Sequence, residues 1–155
     1  MDGQPTSTLE IVRGVIKASV PFASHIGLEV TMVTDGTAMV ILADEPFTKN
    51  HVGSTHAGAL FTLAEVASGS AMAGVMVDAI DEIDALVRSS TISYRKPATG
   101  VITATASTSK PGSKMRSEYE TDGRTSFAID VSMTDTDGDE VAAMTVDWVV
   151  TRPAS

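Results

Sequence analysis

The stretch Asn50-His51-Val52-Gly53-Ser54-Thr55-His56-Ala57-Gly58-Ala59-Leu60-Phe61-Thr62-Leu63-Ala64-Glu65-Val66-Ala67-Ser68-Gly69-Ser70-Ala71-Met72 decides how the chain is read. It opens as a polar loop and becomes an apolar helix near Ala57. Leu60, Leu63, Ala64, Ala67, Ala71 and, further on, Val75 make one helical face, while Phe61, Glu65, Ser68 and Met72 make an adjacent one. Upstream, Glu45 to Thr55 carries Pro46 and Gly53 and breaks all periodicity, a loop length that usually goes with function. Ala57 to Val77 holds 21 residues and a single charge, Glu65. That length suits a bilayer span. However, small residues dominate, the charge sits near the middle, and Asp78, Asp81 and Glu82 follow in place of basic anchors. The expectation is a buried helix and no membrane partner.

Working outward, Leu9, Ile11, Val12, Val15 and Ile16 recur at helical spacing, with Ser7 or Thr8 placed to cap a short N-terminal helix that Pro21 ends. Ile26 to Val33 and Thr37 to Ala43 flank Asp35-Gly36 as a β-hairpin. After the long helix, strands are expected at Leu86 to Lys96, Val101 to Ser109, about Lys114 to Glu120, Thr125 to Thr134 and Val141 to Arg152. Pro97, Gly100, Pro111-Gly112, Asp122-Gly123 and Asp137-Gly138 punctuate them, and the second half reads as an antiparallel meander. The order is α+β and not an alternating βαβ pattern, and no glycine-rich phosphate motif is present, which disfavours NAD and ATP as ligands.

At 155 residues and 43% hydrophobic content the chain has material for one domain, expected over 1–155. A formal charge of −9, without a Lys/Arg cluster, argues against nucleic acid as a partner. The chain has no cysteine, which rules out disulfides and thiolate chemistry, and a cytoplasmic location is the expectation. MDGQPTST shows neither a signal peptide nor a myristoylation pattern. His25, His51 and His56 are scattered, so no metal site is expected.

A polar loop feeding a helix with glycine in its first turn favours anions, because the unpaired N–H groups of Ala57 and Gly58 point out of the helix start. Such donors suit the oxyanion of a tetrahedral intermediate. Glu65, the lone charge on a small apolar helix, is costly to bury without compensation. Function is one compensation; a solvent edge, or pairing with Arg88 or Arg95, is the other. Gly58 and Glu65 are seven residues apart, which at 1.5 Å per residue separates them by roughly 10 Å along one helix. One chain cannot aim both at one carbonyl. Two copies packed antiparallel across a two-fold axis can.

These residues, Asn50, Gly53, His56-Ala57-Gly58-Ala59-Leu60 and Leu63-Ala64-Glu65, resemble the signature of hotdog-fold acyl-CoA thioesterases of the phenylacetate-pathway type, over roughly residues 24–152. The resemblance implies a long central helix wrapped by a curved antiparallel sheet, here after an N-terminal helical segment at 1–23. It also implies obligatory homodimers that often pair into homotetramers, with active sites between subunits. By matching position, Glu65 takes the place of the acid that attacks the thioester or activates water, and Gly58 that of the oxyanion N–H donor. Asn50 matches a residue that orients water or the carbonyl. His56 matches the histidine that opens the motif; helix capping and direct catalysis both remain open for it.

Ala57 stands where the commoner motif has glycine, narrowing the space beside the carbonyl. Phe61 and Met72, with Phe22 and Phe47, are expected to shape the acyl site. For the phosphates of coenzyme A the candidates are Arg88, Arg95, Lys96, Lys110, Lys114 and Arg116, with Arg95 and Lys96 preferred because the resemblance implies that the nucleotide is held at the strand end after the helix, where they lie. The implied activity is hydrolysis of acyl-CoA thioesters without a cofactor, coenzyme A being part of the substrate. Two rivals use the same fold: a hydratase or dehydratase pairing His56 with Glu65, and a non-catalytic acyl-CoA-binding module.

Overall fold

Ser7 caps the first helix, α1 (Thr8–Ser19), in a capping box with Glu10: each side chain accepts from the other residue's backbone N–H. A computed structural model describes residues 6–154, so residues 1–5 of the expected N-terminal segment and Ser155 lie outside the described residues. Pro21 does end α1, but it also opens a short helix, α2 (Pro21–His25), where its missing N–H costs nothing. The hairpin follows as β1 (Leu28–Val33) and β2 (Thr37–Leu42), and the loop contains one 3₁₀ turn at Pro46–Thr48. The long helix, α3, spans Ala57–Val75, and a second 3₁₀ turn covers Val77–Glu82.

The remaining strands are β3 (Asp84–Tyr94), β4 (Ile102–Thr108), β5 (Arg124–Thr134) and β6 (Glu140–Thr151). All pair antiparallel in one six-stranded sheet of order β1-β2-β4-β5-β6-β3. The simple meander is therefore corrected: β3 lies beside β6, not β4, and forms one sheet edge while β1 forms the other. The reason is its long-range pairing with β6, Thr91 opposite Thr145 for example, and its side chains fit an edge, being mostly exposed, with Leu86 67% and Val87 37% accessible. A strand between two neighbours would bury one face fully.

The expected strand at Lys114 to Glu120 is also corrected. Gly112–Asp122 is a helix, α4. Met115 and Tyr119 stand four residues apart, Met115 is fully buried, and Lys, Met, Arg and Glu between the turn signals are good helix formers. Gly123, at φ 68°, closes α4 by donating its N–H to Tyr119 O at 2.8 Å. Arg116 then clasps the hairpin turn through two hydrogen bonds to Asp35, 2.6 and 3.1 Å long.

One face of the sheet and α3 bury each other. On β5 and β6, Phe127, Ile129, Val131 and Met133 and then Ala142, Met144, Val146, Trp148 and Val150 alternate inward with period two. The helix contributes Leu60, Leu63, Ala64, Ala67, Ala71 and Val75, all buried. Among the described residues α3 is the one helix long and apolar enough to cross a bilayer, and most of it is buried inside the fold. A long apolar helix on a six-stranded antiparallel sheet is the hotdog fold.

Candidate active site

The loop before α3 is built by its own polar groups. Asn50 Oδ1 accepts the N–H groups of Val52 and Ser54, each at 3.1 Å, and its amide donates to Ser54 Oγ at 2.8 Å. Both carbonyl lone pairs are thus engaged, and the second amide hydrogen is what Asn50 has left to offer. Thr48 O accepts His56 N–H and Ala98 O accepts Thr55 N–H, both at 2.8 Å, which ties the loop to the start of α3.

His56 is the N-cap of α3. Its Nδ1 accepts the Gly58 N–H at 2.9 Å, so a neutral ring carries its proton on Nε2. This settles its structural part as a cap and corrects one expectation, that Gly58 offers a free N–H. The donor left without an acceptor among the described residues is Ala57 N–H, at the first helical position. Tyr94 reaches back to this end, its hydroxyl donating to Ala57 O at 3.2 Å.

Glu65 sits two turns further along, half-buried, without a hydrogen-bonding or ionic partner among the described residues. Burial alone pushes its carboxyl above the usual carboxylate range. Neither arginine relieves it: Arg95 pairs with Glu140, and Arg88 sits at the bulge between Val87 and Ser89 of the β3 edge. Glu65 opens into a cavity of about 270 Å³ walled by Val15, Ile16, Ser19 and Val20 of the N-terminal segment and by Met72 and Trp148. Trp148 Nε1 donates to Ser68 Oγ at 3.0 Å, and Ser68 Oγ donates to Glu65 O at 2.7 Å.

This buried pair predicts a stability effect. Ser68→Ala leaves the indole N–H without its acceptor and is expected to destabilise the fold by about 1–3 kcal/mol, read as a lower urea midpoint at an unchanged slope. An unchanged midpoint would show that the indole finds another acceptor.

The other expected residues fall in two further hollows. His56, Gly58 and Phe61 line one of about 410 Å³ with Phe22 and Phe47. Asn50, Ala57, Arg95 and Lys96 line another of about 320 Å³. Met72 alone of the expected substrate contacts shares the Glu65 cavity, so a single chain separates Glu65 from the helix start, as the helical rise requires. Lys96 is held by Asp135 and Asp139, and the Asp139 contact raises its pKa. Lys110 pairs with Glu118 at 2.6 Å, and Arg116 is spent on Asp35.

A wider, more open concavity, about 550 Å³, lies on the outer face of the sheet, away from Glu65. Its charged side chains already have partners: Asp130 accepts from Thr145 Oγ1 at 2.7 Å, and Arg95 forms an ion pair with Glu140. No group of three or more His, Asp or Glu side chains is arranged to hold a metal among the described residues. Sequence reasoning missed the α1 wall and Trp148, although the only tryptophan of the chain and the apolar face of α1 were signals for both.

Solved structures share the fold almost end to end. A protein of unknown function from Pseudomonas aeruginosa, called a probable thioesterase, superposes with a TM-score of 0.80 at 24% identity, covering 98% of this chain and 100% of its own. The PaaI protein of the Escherichia coli phenylacetic acid degradation operon gives 0.72 at 19% identity, covering 96% and 98%. A hypothetical thioesterase protein of Streptococcus pneumoniae, solved with coenzyme A, gives 0.69 at 24% identity, covering 90% and 99%. No curated protein matches the sequence. Residues 8–150 match the domain of unknown function DUF4442, and the chain belongs to that family, with the hotdog fold as its architecture.

Proposed function

We propose that this protein hydrolyses acyl thioesters of coenzyme A at two equivalent sites, each assembled from two copies of the chain. The observation that carries the reading is Glu65: a half-buried, unpartnered carboxylate facing an apolar cavity, its pKa raised by burial. The acyl carbonyl accepts the free Ala57 N–H of one subunit, and Glu65 of the partner subunit attacks the carbonyl carbon or takes a proton from an attacking water. Coenzyme A then leaves as a thiolate that is reprotonated as the C–S bond breaks; attack by water gives the carboxylic acid directly, whereas attack by Glu65 gives a mixed anhydride that water hydrolyses in a second step to the acid and free Glu65. The site supplies this chemistry without a cofactor. Ala57 takes the place that the motif alone gave to Gly58, because His56 already holds the Gly58 N–H.

This arrangement requires a homodimer, which we place along β3. That edge is 11 residues long, its outer side is unpaired among the described residues, and it carries exposed Leu86 and Val87, a combination that invites pairing with a second copy. Tetramers of two such dimers and a cytoplasmic setting complete the proposal. Arg95 and Lys96, at the rim of the hollow beside Asn50 and Ala57, are the proposed contacts for the nucleotide phosphates, which compete there with Glu140, Asp135 and Asp139.

The coenzyme A seen with the Streptococcus pneumoniae protein supports the ligand class, and the thioesterase names of the other neighbours support the reaction. Thiol release from a panel of acyl-CoAs is the test. Loss of enoyl absorbance from a 2-enoyl-CoA without thiol release would instead indicate a hydratase. Binding without either product would indicate a non-catalytic module.

A further inference from the structure

Three glycines interrupt α3, and two are explained by what surrounds them. A Cβ at Gly74 would lie 2.3 Å from Thr34 O, so the helix could not dock on the hairpin. One at Gly58 would lie 3.1 Å from the His56 ring that caps the helix. Gly69 differs: its added Cβ would touch only the Trp148 ring, at 3.4 and 3.5 Å, which is ordinary van der Waals contact. Alanine would fit there and would favour the helix, since glycine in a helix interior loses more backbone entropy. Gly69 is one helical turn beyond Glu65, on the same face, and both line the cavity closed by α1.

We infer that Gly69 is a specificity-determining residue, and that the cavity running from Glu65 past Gly69 to Met72 beneath α1 takes an unsubstituted, apolar, medium-sized acyl group. This rests on the proposed role of Glu65. The volume, about 270 Å³, is nearly twice the roughly 150 Å³ that accommodates a benzene ring, which corresponds to a straight chain of about eight to ten carbons or a phenylalkanoyl group. Apart from Glu65, the lining offers one polar side chain, Ser19, at the α1 wall. The indole N–H of Trp148 is already used by Ser68. A hydroxylated or charged acyl group would therefore enter largely without partners, which opposes its binding.

Trp148 is the chain's single tryptophan, so its emission reports occupancy of the cavity directly. The experiment titrates the full chain with non-hydrolysable S-alkyl-CoA thioethers from four to fourteen carbons and reads that emission. For wild type, Kd is expected to fall by roughly fourfold per methylene until about eight to ten carbons and then level off. In Gly69→Ala the levelling moves about one or two carbons shorter while Tm rises by about 1–4 °C. Val15→Phe, which intrudes from the opposite wall, shortens the profile independently of how α3 tolerates substitution.

Emission that ignores every thioether at saturation would overturn the inference, as would a length profile that both variants leave unchanged. The two readings separate cleanly. If wild type binds thioethers with this profile but releases no thiol from the matching thioesters, the hydrolytic reading fails and the acyl cavity stands. If thioesters are hydrolysed while Trp148 and Gly69 are indifferent to chain length, the acyl cavity fails and hydrolysis stands.

Discussion

Glu65→Gln is expected to lower thioester turnover by about 10²–10⁴-fold while leaving the fold and the dimer intact. The substitution keeps the shape and removes the charge that acts as base or nucleophile. It also predicts a gain in stability whose pH dependence fixes its cause. Burial raises the Glu65 pKa in the folded chain, so the folded state binds its proton more tightly than the unfolded state. Stability contributed by the protonated group is full below the unfolded carboxylate pKa and is lost as pH rises through the folded value. Glutamine does not titrate, so the variant should melt higher than wild type at pH 8, and the difference should shrink as pH falls toward the ordinary carboxylate range. Rate in the wild type should rise with pH over the same window as Glu65 ionises. Undiminished turnover in the Glu65→Gln variant removes Glu65 from the chemistry.

Gly74→Ala is expected to destabilise the fold by about 2–3 kcal/mol, lowering Tm by about 5–10 °C. Its added methyl would meet the Thr34 carbonyl oxygen at 2.3 Å and a Val33 methyl at 2.7 Å. The oxygen belongs to backbone at the hairpin turn, so it cannot swing aside as a side-chain end can. Either the C-terminal end of α3 lifts from β1 and β2 or the turn deforms. A gain in helix propensity from alanine opposes this loss but is smaller than the contact term. Thermal melts of Gly74→Ala and Gly69→Ala should therefore move in opposite directions, although both make the same change in the same helix. A higher Tm at both positions would contradict the packing of α3 against the hairpin.

The elements that were legible in the sequence are those whose side chains repeat a period. The capped amphipathic α1, the hairpin around Asp35-Gly36 and the apolar α3 all follow from spacing and turn chemistry. α4 was misread because its flanks, Pro111-Gly112 and Asp122-Gly123, also mark strand boundaries, and its buried face is carried chiefly by Met115 and Tyr119. The place of β3 at the edge depends on pairing with a strand far later in the chain, Thr91 with Thr145 for example, which no local pattern encodes.

At the site, Glu65 was legible as a lone charge on an apolar helix, and the helical rise gave its separation from the helix start. Which N–H is free was not. That depends on His56 folding back onto Gly58, a hydrogen bond between residues that both precede the apolar face. The α1 wall was hidden for another reason: Val15 and Glu65 are far apart in the chain, and only the docking of α1 beside α3 brings them to one cavity.

The central claim is that each site takes Ala57 N–H from one chain and Glu65 from another. Ala57→Pro deletes that N–H and little else: proline is tolerated at the first helical position, and His56, at φ −62° and ψ 137°, already has the conformation that precedes proline. Ala57→Pro and Glu65→Gln should each be nearly inactive alone. When the two are mixed in equal amounts and allowed to exchange subunits, half of the dimers carry one intact site, so about a quarter of wild-type thioesterase activity should return. A mixture as inactive as its parents, with exchange verified, would contradict the account.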